Sequence, residues 1–425
     1  MSWAHKGSNL ALEDMLIAIP DDAAYFPFDH HLASTKLIYP EGYDNHTVTN
    51  YGLYTGANLC ATLRKGEGKY GNAVAIEEPT VNRFSYPSFN TSSSNGGWSH
   101  WGSTGHQGTY GQTTDRKYIY GDQQYAHWVA NGQEATSHYI CYQSPSLGGT
   151  PSFRSLSIIA CMEDGSEINH DKVRPGWNAG TSQGIPSGTW TSIKQIPGTH
   201  FYICRAEGFH QDGTNDLVSC DVVLPGNKVY ISFAQLEDKP FATSFVEGER
   251  PPSYLSLPPI YPITSDQSFT ISMFSRAIDD SRKQGLFEGR WKNSIQVLIL
   301  LNEASSYNSM TIYYITGDGQ NLFWVPNKKI DNLKEWHMHT LTYDGDRLSY
   351  YLNGEYIGSK VTTLSPCANS QSGARLGFDL GGYVTNSLFD DLLIASQALS
   401  PEEIRAIYHS QRPLYDPNRI DHIVG

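Results

Sequence analysis

Residues 387–408 read SLFDDLLIASQALSPEEIRAIY, a stretch that joins a strand to a capped helix. Phe389, Leu392 and Ile394 are apolar around the adjacent carboxylates Asp390 and Asp391, as in a core strand with one polar interruption. Successive strand residues point to opposite faces, so the two acids are expected on different sides of the sheet. Ser400, Pro401 and Glu403 then supply an N-cap hydroxyl, a first-turn proline and the acid of a capping box. A short helix is expected to follow and to end near Tyr408.

Working upstream, residues 269–275 (FTISMFS) and 336–343 (WHMHTLTY) alternate apolar and polar side chains as half-buried strands do. In residues 348–357 (LSYYLNGEYI), Asn353 and Gly354 separate two strand-like runs, and Asn-Gly is the strongest short-range signal for a two-residue type I′ hairpin. Residues 374–378 (ARLGF) add a short strand, and the apolar run 297–301 with Ile295 reads as a core strand. The order F-D-D-L-L-I, A-L-S, P-E-E-I-x-A-I-Y, together with W-H-x-x-x-L-T-Y-D-G before a strand and N-G, resembles the laminin-G-like, concanavalin A-type jelly rolls of extracellular and viral proteins.

The resemblance implies an opening strand with an aromatic and an Asp, then a G-x-x-G turn into a second strand. Residues 24–29 (AYFPFD) and 68–76 (GKYGNAVAI) match those parts, yet the strand expected next occurs only at 253–257 (SYLSL). Roughly 170 residues are therefore read as inserted into one jelly roll between Glu78 and Arg250, because the ends of an inserted domain usually lie close together. The expected fold is all-β, two β-sandwich (jelly-roll) domains with one inserted into the other and short peripheral helices. Its parts are an N-terminal arm or short helix over 1–20, a discontinuous jelly roll over 21–78 and 251–412, the insert over 79–250, and a C-terminal arm over 413–425. Apolar residues spaced along 9–19 suggest a helix that packs on its own domain or docks on a neighbouring subunit.

The insert opens with NRFSYPSFN at 82–90 and then Gly96, Gly97 and Trp98, similar to carbohydrate-binding-module-like jelly rolls, although Tyr86 and Asn90 stand where Asn and Glu are commoner. It closes with VYISFAQLEDKPFATSFV at 229–246. A strand ending in Q-L-E followed by A-T-S-F-V resembles the ending of such modules in tail-associated proteins of bacteriophages. Short strand candidates lie between, at 137–142, 155–161, 190–196, 200–206 and 218–223, separated by Gly, Pro, Asn or Ser.

Composition narrows the function classes. With 425 residues, 39 Gly, 22 Pro and 12% aromatics, the chain suits two β-rich domains with ample core. A net charge of −13 without a local basic cluster argues against nucleic-acid binding and against a membrane-surface patch, and no apolar run approaches the length of a membrane span. The first ten residues, MSWAHKGSNL, lack a basic start and apolar run, so no secretion signal is expected. Six cysteines lack C-x-x-C spacing and are expected to be reduced core residues; the alternative is a bond such as Cys204 to Cys220 on adjacent strands.

Catalysis finds little support in these motifs. The fold resemblance implies an E-x-D-x-x-E pattern for glycosidases, and the nearest approach, Glu163, Asp164 and Glu167, has other spacing and sits at a Gly-Ser turn. No nucleophile elbow, phosphate loop or HExxH is present, so an enzyme is not expected. Jelly rolls of these kinds often hold a structural Ca²⁺, for which Asn82, Asn90 and Glu237 are candidates in the insert and Asp29 and Asp390 in the outer domain. The ordinary alternative is that Glu237 and Asp390 cap turns or bond backbone. Sugar binding needs exposed aromatic platforms, and Trp101, Tyr110 and Trp177, in loop-like context, are the candidate carbohydrate contacts, with Trp98 assigned to the core. Packing between subunits is the competing use of the same aromatics.

The expected function is a structural and adhesive virion protein of a bacteriophage, tail-associated, fibre-like or decorating the surface, made in the host cytoplasm without a signal peptide. Its expected partners are other virion proteins, further copies of itself in a homo-oligomer, and a host cell-surface glycan. The alternative is a bacterial glycan-binding or glycan-hydrolysing protein of the same fold.

Overall fold

The computed structural model describes residues 23–26, 49–52, 62–64, 67–69, 73–77, 80–84, 98–101, 108–121, 123–131, 139–143, 152–178, 188–211, 217–222, 226–245, 249–250, 253–256, 268–279, 283–291, 294–301, 310–315, 321–326, 328–362, 374–377, 385–395 and 397–410. Among them the chain is mostly antiparallel strand, with one α-helix, Pro401–His409. It divides into two compact units, Met1–Glu78 with Pro251–Gly425, and Pro79–Arg250. The sequence-expected helix at 9–19 and the arm at 413–425 lie outside the described residues.

The discontinuous unit is built on two sheets. The larger runs Glu355–Val361, Arg347–Leu352, His337–Tyr343, Phe269–Ala277, Ser387–Ala395, Ala73–Ile76 and Thr62–Arg64, with Ala23–Phe26 also pairing with Ser387–Ala395. The second runs Thr49–Gly52, Ser253–Ser256, Ala374–Leu376, Gln284–Trp291, Ser294–Leu301, Met310–Ile315 and Asn321–Trp324. Alternation sets which side chains fill the core: Phe269, Ile271 and Met273 join Phe287, Val297, Ile299 and Ile312 from the second sheet. Thr270 and Ser272, between them, bond the Gln397 carbonyl at 2.7 Å and the Thr340 hydroxyl at 2.8 Å.

The far side of the larger sheet is covered by the Pro401–His409 helix, whose Ile404 and Ile407 pack on Phe274, Met338, Tyr351 and Leu393. Nine residues are too few for a helix to persist alone in water. Burying two isoleucines, about 1.5–3 kcal/mol each, is the larger part of what holds it. Ser400 and Glu403 complete the capping box, with Ser400 N–H donating to the Glu403 carboxylate at 2.8 Å.

The Ser387–Ala395 strand departs from strict alternation beside its two acids. Phe389 is in the inner core, and so are Leu392 and Ile394, which strict alternation from 389 would place outside. The parity resets at a bulge against Phe269–Ala277, where Asp391 has φ +45°. Asp390, opposite Phe274, falls on the helix-covered side and Asp391 occupies the bulge itself; both are buried.

The Pro79–Arg250 unit has a six-stranded sheet in the order Ser192–Gln195, Tyr202–Gln211, Ser152–Met162, Lys228–Glu237, Ala126–Ala130, Thr109–Thr113, and a four-stranded sheet in the order Val173–Asn178, Leu217–Val222, Tyr139–Gln143, Ser99–Trp101. Trp98 is 1% exposed and 5.0 Å from the Phe84 ring, within a core that includes Leu156, Ile158, Val173 and Trp190. The two ends of the unit meet in a ribbon, Thr80–Val81 against Glu249–Arg250. The Cys204 to Cys220 bond is not formed: Cys204 is a free, buried thiol in the six-stranded sheet, and the Cys220 strand is not its neighbour but belongs to the four-stranded sheet.

Candidate functional site

The three aromatics singled out as sugar contacts lie on strands, not loops, and those strands belong to two different sheets. Tyr110, on the Thr109–Thr113 edge strand of the six-stranded sheet, is 43% exposed. Trp101 and Trp177 lie on the two edge strands of the four-stranded sheet, three strand spacings or about 14 Å apart. Trp101 pairs with Ile140, and Trp177 through Val218 with Gln143, three positions along the same strand, so the two tryptophans occupy opposite faces.

A different aromatic group stands on the side of the six-stranded sheet away from that unit's core. Trp128, Tyr230 and Tyr118 gather there above neighbouring strands, around Ile159, Phe201 and Phe233. Trp128 lies against Gly111 of the edge strand, where an added Cβ would come within 2.8 Å of the indole, so glycine is what admits the ring. Tyr118 stacks on Tyr230 at 3.8 Å with ring planes 4° apart. The Lys228 ammonium sits 4.5 Å from the Trp128 centroid and 5.0 Å from that of Tyr230, and bonds Glu163 at 2.8 Å. Tyr230 donates to the same Glu163 oxygen at 3.2 Å, and Lys117 lies 5.0 Å from the Tyr118 ring.

The electrostatics of this group are self-consistent. The Lys228 bond, with lesser help from Tyr230, holds the Glu163 carboxyl below its ordinary range. Partial burial works against the Lys228 charge, but bonds to Glu163 and Tyr230 outweigh it and the net shift is upward. Asp164 is also held low, by the Ser166 hydroxyl and N–H. A glycosidic general acid needs a raised carboxyl. Glu163 and Asp164 are both shifted the other way, so this turn does not supply one. In the sequence Glu163 stood out only as part of the 163–167 acidic turn, and Tyr118, Trp128, Lys228 and Tyr230 were not singled out as site residues. The alternation in KVYISFAQLE was the available signal, since Lys228 and Tyr230 share one face.

The oxygens proposed for calcium have other partners where they are described. Glu237, fully buried, accepts from the Thr80 hydroxyl, from the Thr243 hydroxyl at 2.5 Å and from Thr243 N–H at 2.8 Å. The Asn82 oxygen accepts from Phe84 and Leu236 N–H, while its amide donates to the Ala234 carbonyl at 3.0 Å. Asp390 accepts from Lys69 and Asp391 N–H at 2.7 and 3.0 Å. Donors converging on these oxygens make them staples between segments, and a cation there would have to displace those donors. The described surroundings do not fit Ca²⁺. Asp29 and Asn90 lie outside the described residues.

A family model described as the concanavalin A-like lectin/glucanases superfamily matches residues 251–405. No curated protein matches the chain. Among solved structures, it is similar to domain 4 of an extracellular arabinanase from Geobacillus stearothermophilus in complex with arabinotriose, at 17% identity over 37% of this chain and 73% of that one, TM-score 0.31. It is similar to the binding domain of botulinum neurotoxin DC in complex with SialylT, at 13% identity over 40% of this chain and 42% of that one, TM-score 0.32, and to a heptameric SAP-like pentraxin from Limulus polyphemus, at 15% over 33% and 70%, TM-score 0.28. The match thus spans about two fifths of the toxin binding-domain structure. The family match, with the two sheets and helix described above, makes residues 251–405 part of a concanavalin A-like β-sandwich.

Proposed function

We propose that this chain is a structural and adhesive virion protein of a bacteriophage, displaying its β-sandwiches on the tail or particle surface for attachment to a host glycan. The observation that carries the reading is the closing motif of the insert. Gln235 and Glu237 of Q-L-E are buried and fasten Thr243 and Ser244 of A-T-S-F, while Glu237 also accepts from Thr80 in the opening segment. The motif resembling phage tail modules is thus a clasp that joins both ends of a module beside the Thr80–Val81/Glu249–Arg250 ribbon. A module tethered through one ribbon can be displayed without disturbing its host fold. The partly exposed Trp128 and Tyr118, over the buried Tyr230, and the exposed Tyr110 on the other face of the sheet are two separate aromatic platforms of the kind sugars require.

Mass spectrometry of purified particles should find the chain at a fixed stoichiometry. The recombinant protein should form a defined homo-oligomer and bind host surface polysaccharide, with Trp128→Ala or Tyr110→Ala weakening binding about tenfold, the loss of roughly one stacking contact. A monomer that cleaves polysaccharide and is absent from particles would transfer the assignment to a bacterial glycan-acting protein.

A further inference from the structure

The register of the four-stranded sheet places two cysteines directly opposite each other. Cys141, on Tyr139–Gln143, is the partner of Cys220, on Leu217–Val222. The same row continues to Pro175 on one side and His100 on the other. We propose that Cys141 and Cys220 are a redox-active pair that closes to a cross-strand disulfide, a covalent tie between two adjacent strands of the Pro79–Arg250 unit.

Spacing favours the bond. Directly paired antiparallel residues have Cα atoms about 4.5–5.5 Å apart, inside the roughly 4.4–6.8 Å that a disulfide spans. Pro175, Cys220 and Cys141 share their row parity with Val173 and its partner Val222, and Val173 is a fully buried member of the core. The row therefore falls on the core-facing side of the sheet. His100 beside Cys141 in the row raises the alternative of a soft-metal site, for which the row supplies three of the four ligands that zinc takes. Cys161 and Cys204, buried and free, are internal controls; burial pushes both thiols up, which keeps them protonated and inert.

Closure removes two protons and two electrons from the pair. A low-molecular-weight disulfide such as oxidised glutathione accepts them and leaves as two thiols, through a mixed disulfide on whichever cysteine is attacked first.

The test uses the full chain equilibrated with oxidised glutathione, denatured in an alkylating agent without reductant and digested. A peptide pair linked through Cys141 and Cys220, with Cys161 and Cys204 alkylated, is the expected result. Alkylation of both Cys141 and Cys220 overturns the proposal, and so does stoichiometric zinc that protects them. The thermal midpoint is a second readout. It should fall on adding reductant to the wild type and be insensitive to reductant in Cys141→Ala/Cys220→Ala; equal midpoints for oxidised and reduced wild type would also refute the tie.

Discussion

At the scale of single residues, the core of the discontinuous unit holds a histidine that its surroundings keep neutral. Burial, and to a lesser degree His337, pulls His339 from 6.5 down to about 3, and its Nδ1 faces the Tyr350 hydroxyl at 2.9 Å. A depressed folded-state value means that the stability is fully present above the unfolded value near 6.5. It is lost as pH falls from there towards 3, by about 1.4 kcal/mol per pH unit. The urea midpoint should drop steeply between pH 6.5 and 4. His339→Gln, which keeps a bonding partner for Tyr350 and does not titrate, should flatten that dependence; an equal drop in the variant removes His339 as its source. Nothing in WHMHTLTY marks His339 as the buried one. His337 is two positions away on the same face, and only the depth of each position in the sheet separates them.

At the scale of elements, the Asn353-Gly354 hairpin and the Pro401–His409 helix constrain each other. Asn353 and Gly354 have φ +53° and +78°, the left-handed values of a type I′ turn. A Cβ on Gly354 would lie 3.2 Å from the Arg405 Cα and 3.1 Å from the Tyr408 Cβ. Gly354→Ala therefore meets both backbone strain and the helix, and a loss of about 1–3 kcal/mol in chemical denaturation is expected. A loss no larger than that of an exposed-surface alanine change would show that the helix moves aside at little cost. The dipeptide, the capping box and the strands at 269–277, 337–343 and 387–395 were legible because each has a local signal. Gln284–Trp291 and Asn321–Trp324 were not, because glycine and charge interrupt the first and the second is four residues long. The bulge at Asp391 was equally invisible, since a parity reset leaves no mark in composition.

At the scale of the whole molecule, the discontinuous unit is tied by a buried ionic cluster drawn from both of its chain segments. Arg64 pairs with Glu77 at 2.5 Å and with Glu67 at 3.4 Å, and Arg276 reaches Glu67 at 3.2 Å. Burial opposes the Arg64 charge, but the two glutamates more than compensate and shift it upward. Arg64→Met takes the guanidinium away from the buried Glu77, and breaking a buried pair in this way typically costs about 3–5 kcal/mol. Arg64→Met with Glu77→Leu should recover part of that loss, and a single change costing under about 1 kcal/mol would show that water reaches the site. Residues 79–250 expressed alone should be soluble and unfold in one cooperative step, because that unit has its own two-sheet core; an unfolded fragment would mean that the core depends on the remainder of the chain. The insertion was legible because the jelly-roll motifs resume in order after a gap, whereas the aromatic group around Lys228 was not, since its members come from three separated segments.

The pairing of Val74 with Phe389 carries a cost during synthesis. At about 5–20 residues per second, the roughly 310 residues between them take about 15–60 s to emerge from the ribosome. For that interval Ala73–Ile76 waits with Thr62–Arg64 on one edge and its other, apolar edge open, while the insert can complete its own core. Slower translation or loss of a holding chaperone should therefore harm the yield of the discontinuous unit more than that of the insert.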